Sequence, residues 1–155
     1  MPQMSVRIQE ADFDLSIEVA RLRALAPQVG AVVTFVGTVR DVNDGVPISA
    51  MTLEHYPGMT EQSIEAIVTR AKARWPINDA LVIHRIGLLQ TGDQIVLVGV
   101  TAAHRGEAFQ ACEFIMDYLK TEAPFWKKEQ TPDGARWVDA RITDDTARKK
   151  WLPSC

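Results

Sequence analysis

Two lysines stand where a charged amine is chemically useful. In segment 115–129, IMDYLKTEAPFWKKE, Lys120 falls near the end of an apolar helical pattern and Lys127 lies just beyond it. Apolar surroundings disfavour an ammonium ion, and a second cation nearby pushes the same way. A lysine so placed can donate a proton, act as a nucleophile or clamp an anion. At about 100° per residue, Lys120 lies about 40° from Met116 and about 20° from Phe109, at the border of the apolar stripe. A lysine at a helix C-terminus also complements the macrodipole, and its stem can snorkel to water, so spacing alone leaves both readings standing. In the extended stretch that follows, Phe125, Lys127 and Glu129 alternate with Trp126 and Lys128, so Lys127 shares a face with an aromatic ring. Any amphipathic strand shows the same alternation.

Other residues can bind anions. His104 and Arg105 sit between an apolar strand pattern and a helix pattern, where backbone N–H groups and the helix dipole favour negative charge. A solvated helix entrance would look the same. Arg40 leaves a strand and suits either a bidentate phosphate contact or a surface ion pair. Arg141, near the end of the last expected strand, carries a weaker signal. His55, His84 and His104 occupy separate elements without the short two-ligand spacings of zinc motifs, so no metal site is expected, and they read as core or surface histidines. The glycines form neither GxGxxG nor GxxxxGK[ST], and there is no GxSxG elbow. No cofactor is implied. The four tryptophans read as core or interface residues.

The elements that must position these residues can be read from periodicity. Segment 6–8 suits a short strand, and Ser16 suits a cap for a helix carrying Val19, Leu22 and Ala26 on one face and stopping near Pro27. Segment 31–40, AVVTFVGTVR, is β-branched enough for a buried strand, and 41–47 supplies Asn, Asp, Gly and Pro for a loop. Segment 50–56 alternates as a strand before the Pro57-Gly58 turn. Ile64, Ile67, Val68 and Ala71 then mark a helix with Thr60 as its cap and Pro76 beyond its end. Segments 80–86 and 94–102 read as hairpin-like strands around Thr91-Gly92-Asp93. A second long helix spans about 107–121, its apolar positions including Ala108, Phe109, Cys112, Ile115, Met116 and Leu119, and Pro124 ends it. Segments 125–129 and 136–141 flank Thr131-Pro132-Asp133-Gly134, so a C-terminal hairpin should close the fold before a polar tail. This order predicts a single α+β domain with helices packed on a largely antiparallel mixed sheet.

Bulk properties narrow the classes. The 155 residues suffice for one domain with a real core. Seventeen basic against 20 acidic side chains, a formal charge of -3, argue against a general nucleic-acid binder but not against a local cationic pocket. Cys112 and Cys155 provide neither a disulfide framework nor a CxxC site, which fits a reducing cytoplasm. The amino end lacks the pattern of a signal peptide, and no apolar run is long enough to span a membrane.

Four strings carry a family resemblance: FVGTVRD at 35–41, LEHYPGMTE at 53–61, AHRGEAF at 103–109, and IMDYLKTEAPFWKKE at 115–129. In order and spacing they resemble the large, catalytic subunit of molybdopterin synthase over roughly 30–151, with 1–29 a variable N-terminal part. The resemblance implies a sulfurtransferase that converts cyclic pyranopterin monophosphate into molybdopterin by installing two sulfurs, in molybdenum cofactor biosynthesis. It implies a small ubiquitin-like sulfur carrier whose C-terminal Gly-Gly bears a thiocarboxylate. It also implies a homodimer of large subunits at the centre of a heterotetramer.

Carried over position by position, the family's substrate-binding residues fall on Thr38, Val39, Arg40, His104, Arg105, Lys120, Lys127, Lys128 and Glu129. Arg141 resembles a family arginine near the pocket, in its own or the opposite subunit's site. Lys120 and Lys127 are the catalytic candidates. Both proposed substrates are anionic, and clustered cations can bring them together. Two other classes fit the same residues: a binding module that accepts an acidic tail or phosphorylated ligand without chemistry, and a structural dimer protein whose tryptophans serve assembly.

Overall fold

The computed structural model describes residues 5–43, 45–138 and 142–152, with residues 142–145 in their backbone alone. Its strands divide between two four-stranded sheets. The first sheet runs β1 (Val6–Gln9), β6 (Ile77–Arg85), β8 (Gln94–Ala102), β2 (Ala31–Thr38), with β1 parallel to β6 and the other pairs antiparallel. The second runs β10 (Gly134–Val138), β9 (Phe125–Thr131), β5 (Ala50–His55), β7 (Gly87–Gln90), antiparallel throughout. A short hairpin, β3 (Val42–Asn43) with β4 (Val46–Pro47), occupies the expected loop between β2 and β5.

The α+β class is as the sequence predicts, but one mixed sheet has become two. The chain changes sheets at Gly87, whose φ of 85° lies in the left-handed region that favours glycine. The expected antiparallel pairing of β6 with β8 forms, and β7 is interposed between them in sequence to serve the other sheet.

Both faces of the first sheet are covered. Val82, Val98 and Val100 pack with Ile64, Ile67 and Val68 of α2 (Met59–Arg74) and with Ala111 and Ile115 of α3 (Arg105–Glu122). The alternate residues Leu81, Ile83 and Leu97 meet Leu22 of α1 (Leu15–Ala24) on the opposite face. Period-2 alternation across a sheet with helices on each side explains why β8 is apolar along its length. Each such side chain contributes about 1.5–3 kcal/mol of burial. Helix α1 comes so close that a Cβ at Gly99 would lie 2.7 Å from Leu22 Cδ1.

Helix starts depart in detail from expectation. Asp14, not Ser16, caps α1, accepting from the Ile17 N–H at 3.2 Å. Gly58 precedes α2, and Thr60 is turned inward, its hydroxyl accepting from the Tyr56 N–H and donating to the Pro124 carbonyl, both at 2.9 Å. That bond ties the start of α2 to the segment joining α3 and β9. The aromatic member of α3's predicted stripe nearest its start, Phe109, is exposed.

The expected polar tail is a further helix, α4 (Ile142–Lys149). Trp151 explains why it docks: its ring meets Trp75 and Phe114 edge-on, and its Nε1–H donates to Asp117 at 2.7 Å. Among the described residues no helix is long and apolar enough to cross a membrane.

Candidate functional site

The C-terminal end of α3 and strand β9 meet the exit of β2 around a cleft of about 330 Å³. Among the described residues, three cations line it: Arg40, Lys120 and Lys127. Its apolar wall includes Phe35, Met116, Leu119 and Phe125, and its polar groups are Thr38, Asn43, His84 and Glu129.

Local sequence explains how two lysines from consecutive elements converge. Pro124 forces the preceding residue out of the helical region, and Ala123 accordingly adopts φ -77°, ψ 127°. Helix α3 stops within a turn of Lys120, and β9 begins at once. Along β9 the alternation holds, with Phe125, Lys127 and Glu129 on the cleft wall. Trp126 is exposed, and the Lys128 ammonium lies over the Trp137 ring, 5.6 Å from its centroid.

Arg40 is placed by the residue before it. Val39 is only 2% exposed and packs with Met51, Leu53 and Leu89, while its N–H and C=O bond to Asp93 O and Gly92 N. With Val39 locked inward, its neighbours Thr38 and Arg40 face the cleft. Gly37 keeps this wall close to β8, since a Cβ there would lie 2.9 Å from Val96 Cγ1.

Glu129, 2% exposed, organises the opposite wall. Its Oε1 accepts from Nε and Nη2 of Arg136 at 3.2 and 3.1 Å, and its Oε2 accepts from Asn43 Nδ2 at 2.8 Å. A carboxylate so deeply placed needs both partners to compensate lost hydration. The contact crosses 86 residues of sequence and holds the β3–β4 hairpin against β9.

His84 lies under the cleft. Its ring stacks on Phe125, and its Nδ1 lies 2.8 Å from the carbonyl of Arg85, so Nδ1 carries the proton in the neutral ring. Burial pushes the imidazole down to a pKa of about 3, with the positive charges of Lys127 and Lys120 adding to the effect against a backbone bond that opposes it. The floor beneath the lysines is thus uncharged at neutral pH.

Of the residues expected from sequence, the structure brings Thr38, Arg40, Lys120, Lys127 and Glu129 to one cleft. Val39 supports it from within the core. Lys128 projects away from it. His104 and Arg105 are exposed at the start of α3, roughly 23 Å along the helix axis from Lys120 within the same chain. Arg141 lies outside the described residues. Sequence reasoning missed Asn43 and Arg136, for which no local pattern exists. It also set His84 aside, although the Ala80, Val82, His84 alternation put that histidine on a buried face. Among the described residues, no three of His, Cys, Asp or Glu come together in a way that could hold a metal ion.

A cleft with three cations and apolar walls, in a chain of net negative charge, is built to hold anions that also carry a flat or apolar body. Comparison with known proteins points the same way. The family model described as MoaE protein matches residues 8–122. A protein of Ralstonia nicotianae named molybdopterin synthase catalytic subunit is 66% identical over 147 residues, covering 95% of this chain and 84% of that one. The solved molybdopterin biosynthesis MoaE protein from Burkholderia ambifaria superposes with a TM-score of 0.81 at 60% identity, covering 95% of this chain and 97% of that one. The crystal structure of molybdopterin synthase from Staphylococcus aureus gives a TM-score of 0.78 at 33% identity, over 90% and 98% of the two chains.

Proposed function

We propose, from the premise that this chain belongs to the MoaE family of molybdopterin synthase catalytic subunits, that the cleft between α3, β9 and the exit of β2 is where the pterin substrate receives its sulfur. The protein is an enzyme of molybdenum cofactor biosynthesis. The observation that carries the site assignment is the convergence of Arg40, Lys120 and Lys127 on one apolar-walled cleft.

The substrate is cyclic pyranopterin monophosphate and the sulfur donor a thiocarboxylate at the C-terminal Gly-Gly of a small ubiquitin-like carrier. Both are anions. Two like charges about 4 Å apart at an effective dielectric near 20 repel by about 4 kcal/mol, so bringing them together requires cations between or beside them. Arg40, planar and permanently charged, holds the phosphate. Lys120 and Lys127 orient the thiocarboxylate and supply the proton transfers as its sulfur bonds to the pterin side chain and water cleaves the carrier's acyl carbon–sulfur bond, releasing the carrier as a carboxylate. Apolar walls exclude water and strengthen each of these interactions.

The state of Cys112 supports a partner as the source of the sulfur. Cys112, the cysteine among the described residues, is buried in the helical core, and burial pushes its thiol up to a pKa of about 11. A thiol kept protonated and inaccessible cannot carry a persulfide to the cleft.

His104 and Arg105 join Arg40 in holding the phosphate, and they do so in the cleft of a second subunit, a reading that their distance from Lys120 within one chain supports. In this reading the working unit is a homodimer, flanked by two carriers as a heterotetramer. Arg141 belongs to the same phosphate-binding group.

The direct test is to incubate purified protein with thiocarboxylated carrier and cyclic pyranopterin monophosphate and look for the dithiolene pterin by mass spectrometry. Absence of any sulfurated product overturns the reading.

A further inference from the structure

Thr60 is fully buried and lines no part of the cleft, yet its hydroxyl holds the joint between the two elements that carry the lysines. Helix α3 ends at Glu122 and β9 begins at Phe125, so Ala123 and Pro124 alone connect the helix of Lys120 to the strand of Lys127. The joint is a tight turn. The Phe125 N–H donates to the Ala123 carbonyl at 2.9 Å, with Pro124, its φ fixed by the ring, at the centre. Proline has no N–H, so its carbonyl is the handle by which its peptide is held, and Thr60 Oγ1 donates to that carbonyl at 2.9 Å.

The direction of this bond is fixed. The Tyr56 N–H donates to Thr60 Oγ1 at 2.9 Å, which leaves the hydroxyl's single proton for Pro124. The Thr60 N–H donates in turn to the Tyr56 carbonyl at 2.9 Å, so the threonine is clamped to the residue that follows β5. Capping does not occupy the hydroxyl, because Glu61 accepts from the Gly58 N–H at 3.1 Å instead. Strand β5 also pairs with β9, placing His55 opposite Phe125 and Leu53 opposite Lys127. Thr60 therefore ties the end of α3 to the same strand that sets the register of Lys127. Phe125, next after Pro124, stacks on His84 at the base of the cleft, so a rotation of the Pro124 peptide passes directly to the cleft wall.

We propose that Thr60 is a positioning residue for the sulfur transfer: its hydroxyl, by holding the Pro124 carbonyl, sets the angle between α3 and β9 and so the separation of the Lys120 and Lys127 amines. This rests on the assignment of those lysines to the reaction. A misplacement of about 1 Å that originates away from the chemistry lowers a rate by up to about 100-fold, the scale expected when this bond is lost.

The test compares wild type, Thr60→Ser, Thr60→Val and Thr121→Val, each with thiocarboxylated carrier and cyclic pyranopterin monophosphate. Thr60→Val keeps the shape and removes the donor; it should lower kcat about 10- to 100-fold while KM for the pterin, held through Arg40, stays within about twofold. Thr60→Ser keeps the hydroxyl and should stay within about threefold of wild type. Thr121→Val is the control. Its hydroxyl bonds back to the Asp117 and Tyr118 carbonyls of its own helix at 3.3 and 3.4 Å. Losing it should change the rate by no more than about twofold.

A second readout is independent of activity. With isotopically methylated lysines followed by NMR, the Lys120 and Lys127 signals of folded Thr60→Val should move from their wild-type positions and return in Thr60→Ser. Lys72, paired with Asp79 from the far end of α2, should stay in place. A threonine that only stabilised the fold would lower the melting temperature and leave the native-state rate and these signals unchanged.

Folded Thr60→Val with wild-type kcat or wild-type lysine signals overturns the proposal. A rate loss shared by Thr60→Ser or Thr121→Val also overturns it. Should Thr60→Val fail to fold, Thr60→Cys, similar in size to serine but a far weaker donor, replaces it, and a wild-type rate there overturns the proposal. Wild-type protein that forms no sulfurated pterin overturns the functional reading instead, and the lysine signals alone then decide whether Thr60 sets the joint.

Discussion

The imidazole of His84 lies flat against the phenyl ring of Phe125, centroids 3.8 Å apart and planes inclined by 17°. One ring comes from the first sheet and the other from the strand that carries Lys127, so the stack joins the two sheets at the base of the cleft. The pairing suits a neutral imidazole, and burial keeps it so.

Acid stability should report this directly. An unfolded His84 takes up a proton as pH falls through about 6.5, whereas the folded ring resists until about 3. In that window the unfolded state binds more protons, so stability declines as pH falls, at up to about 1.4 kcal/mol per pH unit from this group. The charges facing the ring are Lys120 from α3, Lys127 from β9 and His55 from β5, and all oppose its protonation. His84→Phe keeps an aromatic stack without the titrating group. Urea unfolding between pH 4.5 and 8 should show a shallower acid limb for the variant; identical slopes would refute the assignment.

Lysine replacements should separate by strand face. Lys120→Ala and Lys127→Ala should each lower the rate of molybdopterin formation by about 100-fold or more, the scale of removing a positioned proton donor or charge stabiliser. Lys128→Ala, whose ammonium sits over Trp137, should stay within about twofold. Single-turnover assays with thiocarboxylated carrier decide this, and full activity in Lys120→Ala would remove it from the mechanism.

Mixing inactive chains tests whether the site is shared. Arg105→Ala and Lys120→Ala homodimers should both be inactive, yet unfolding and refolding them together should restore activity. Mixed dimers would contain one cleft with both residues intact. No recovery, with mixed dimers shown by native mass spectrometry, would confine each cleft to a single chain.

Glu129→Gln should weaken the fold as well as the site. Losing the charge-assisted bonds from Arg136, which is itself partly exposed, should cost about 1.5–3 kcal/mol. The midpoint of denaturant unfolding should fall accordingly, and KM for the pterin should rise because Glu129 and its partner Asn43 line the cleft. An unchanged midpoint would show that the carboxylate's burial contributes nothing net.

The C-terminal clasp should be separable from catalysis. Trp151→Ala removes edge contacts to Trp75 and Phe114 and the bond to Asp117, at a cost of about 2–4 kcal/mol. For a chain of this size the melting temperature should drop by roughly 4–16 °C, with kcat unchanged. A lowered kcat at temperatures where the variant is folded would tie the clasp to the cleft.

The sequence by itself determined the class of fold and which helix end and strand face carry the lysines. Alternation along β9 put Phe125, Lys127 and Glu129 on one face, Pro124 ended α3 beside Lys120, and the buried periodicity of α2 and α3 fixed which sides meet the sheet. Such patterns are local, set by backbone periods and by the one residue that cannot continue a helix. The tertiary structure alone decided that the strands form two sheets, since β7 joins β5 only when distant segments meet. It alone decided that Asn43 faces Glu129 across 86 residues, and that His84 stacks on Phe125 as a neutral floor beneath the lysines. It also separated His104 and Arg105 from the lysines, because a straight helix of 18 residues keeps its two ends apart. Residue types announce what a side chain can do; burial and long-range contacts decide which of its atoms remain available to do it.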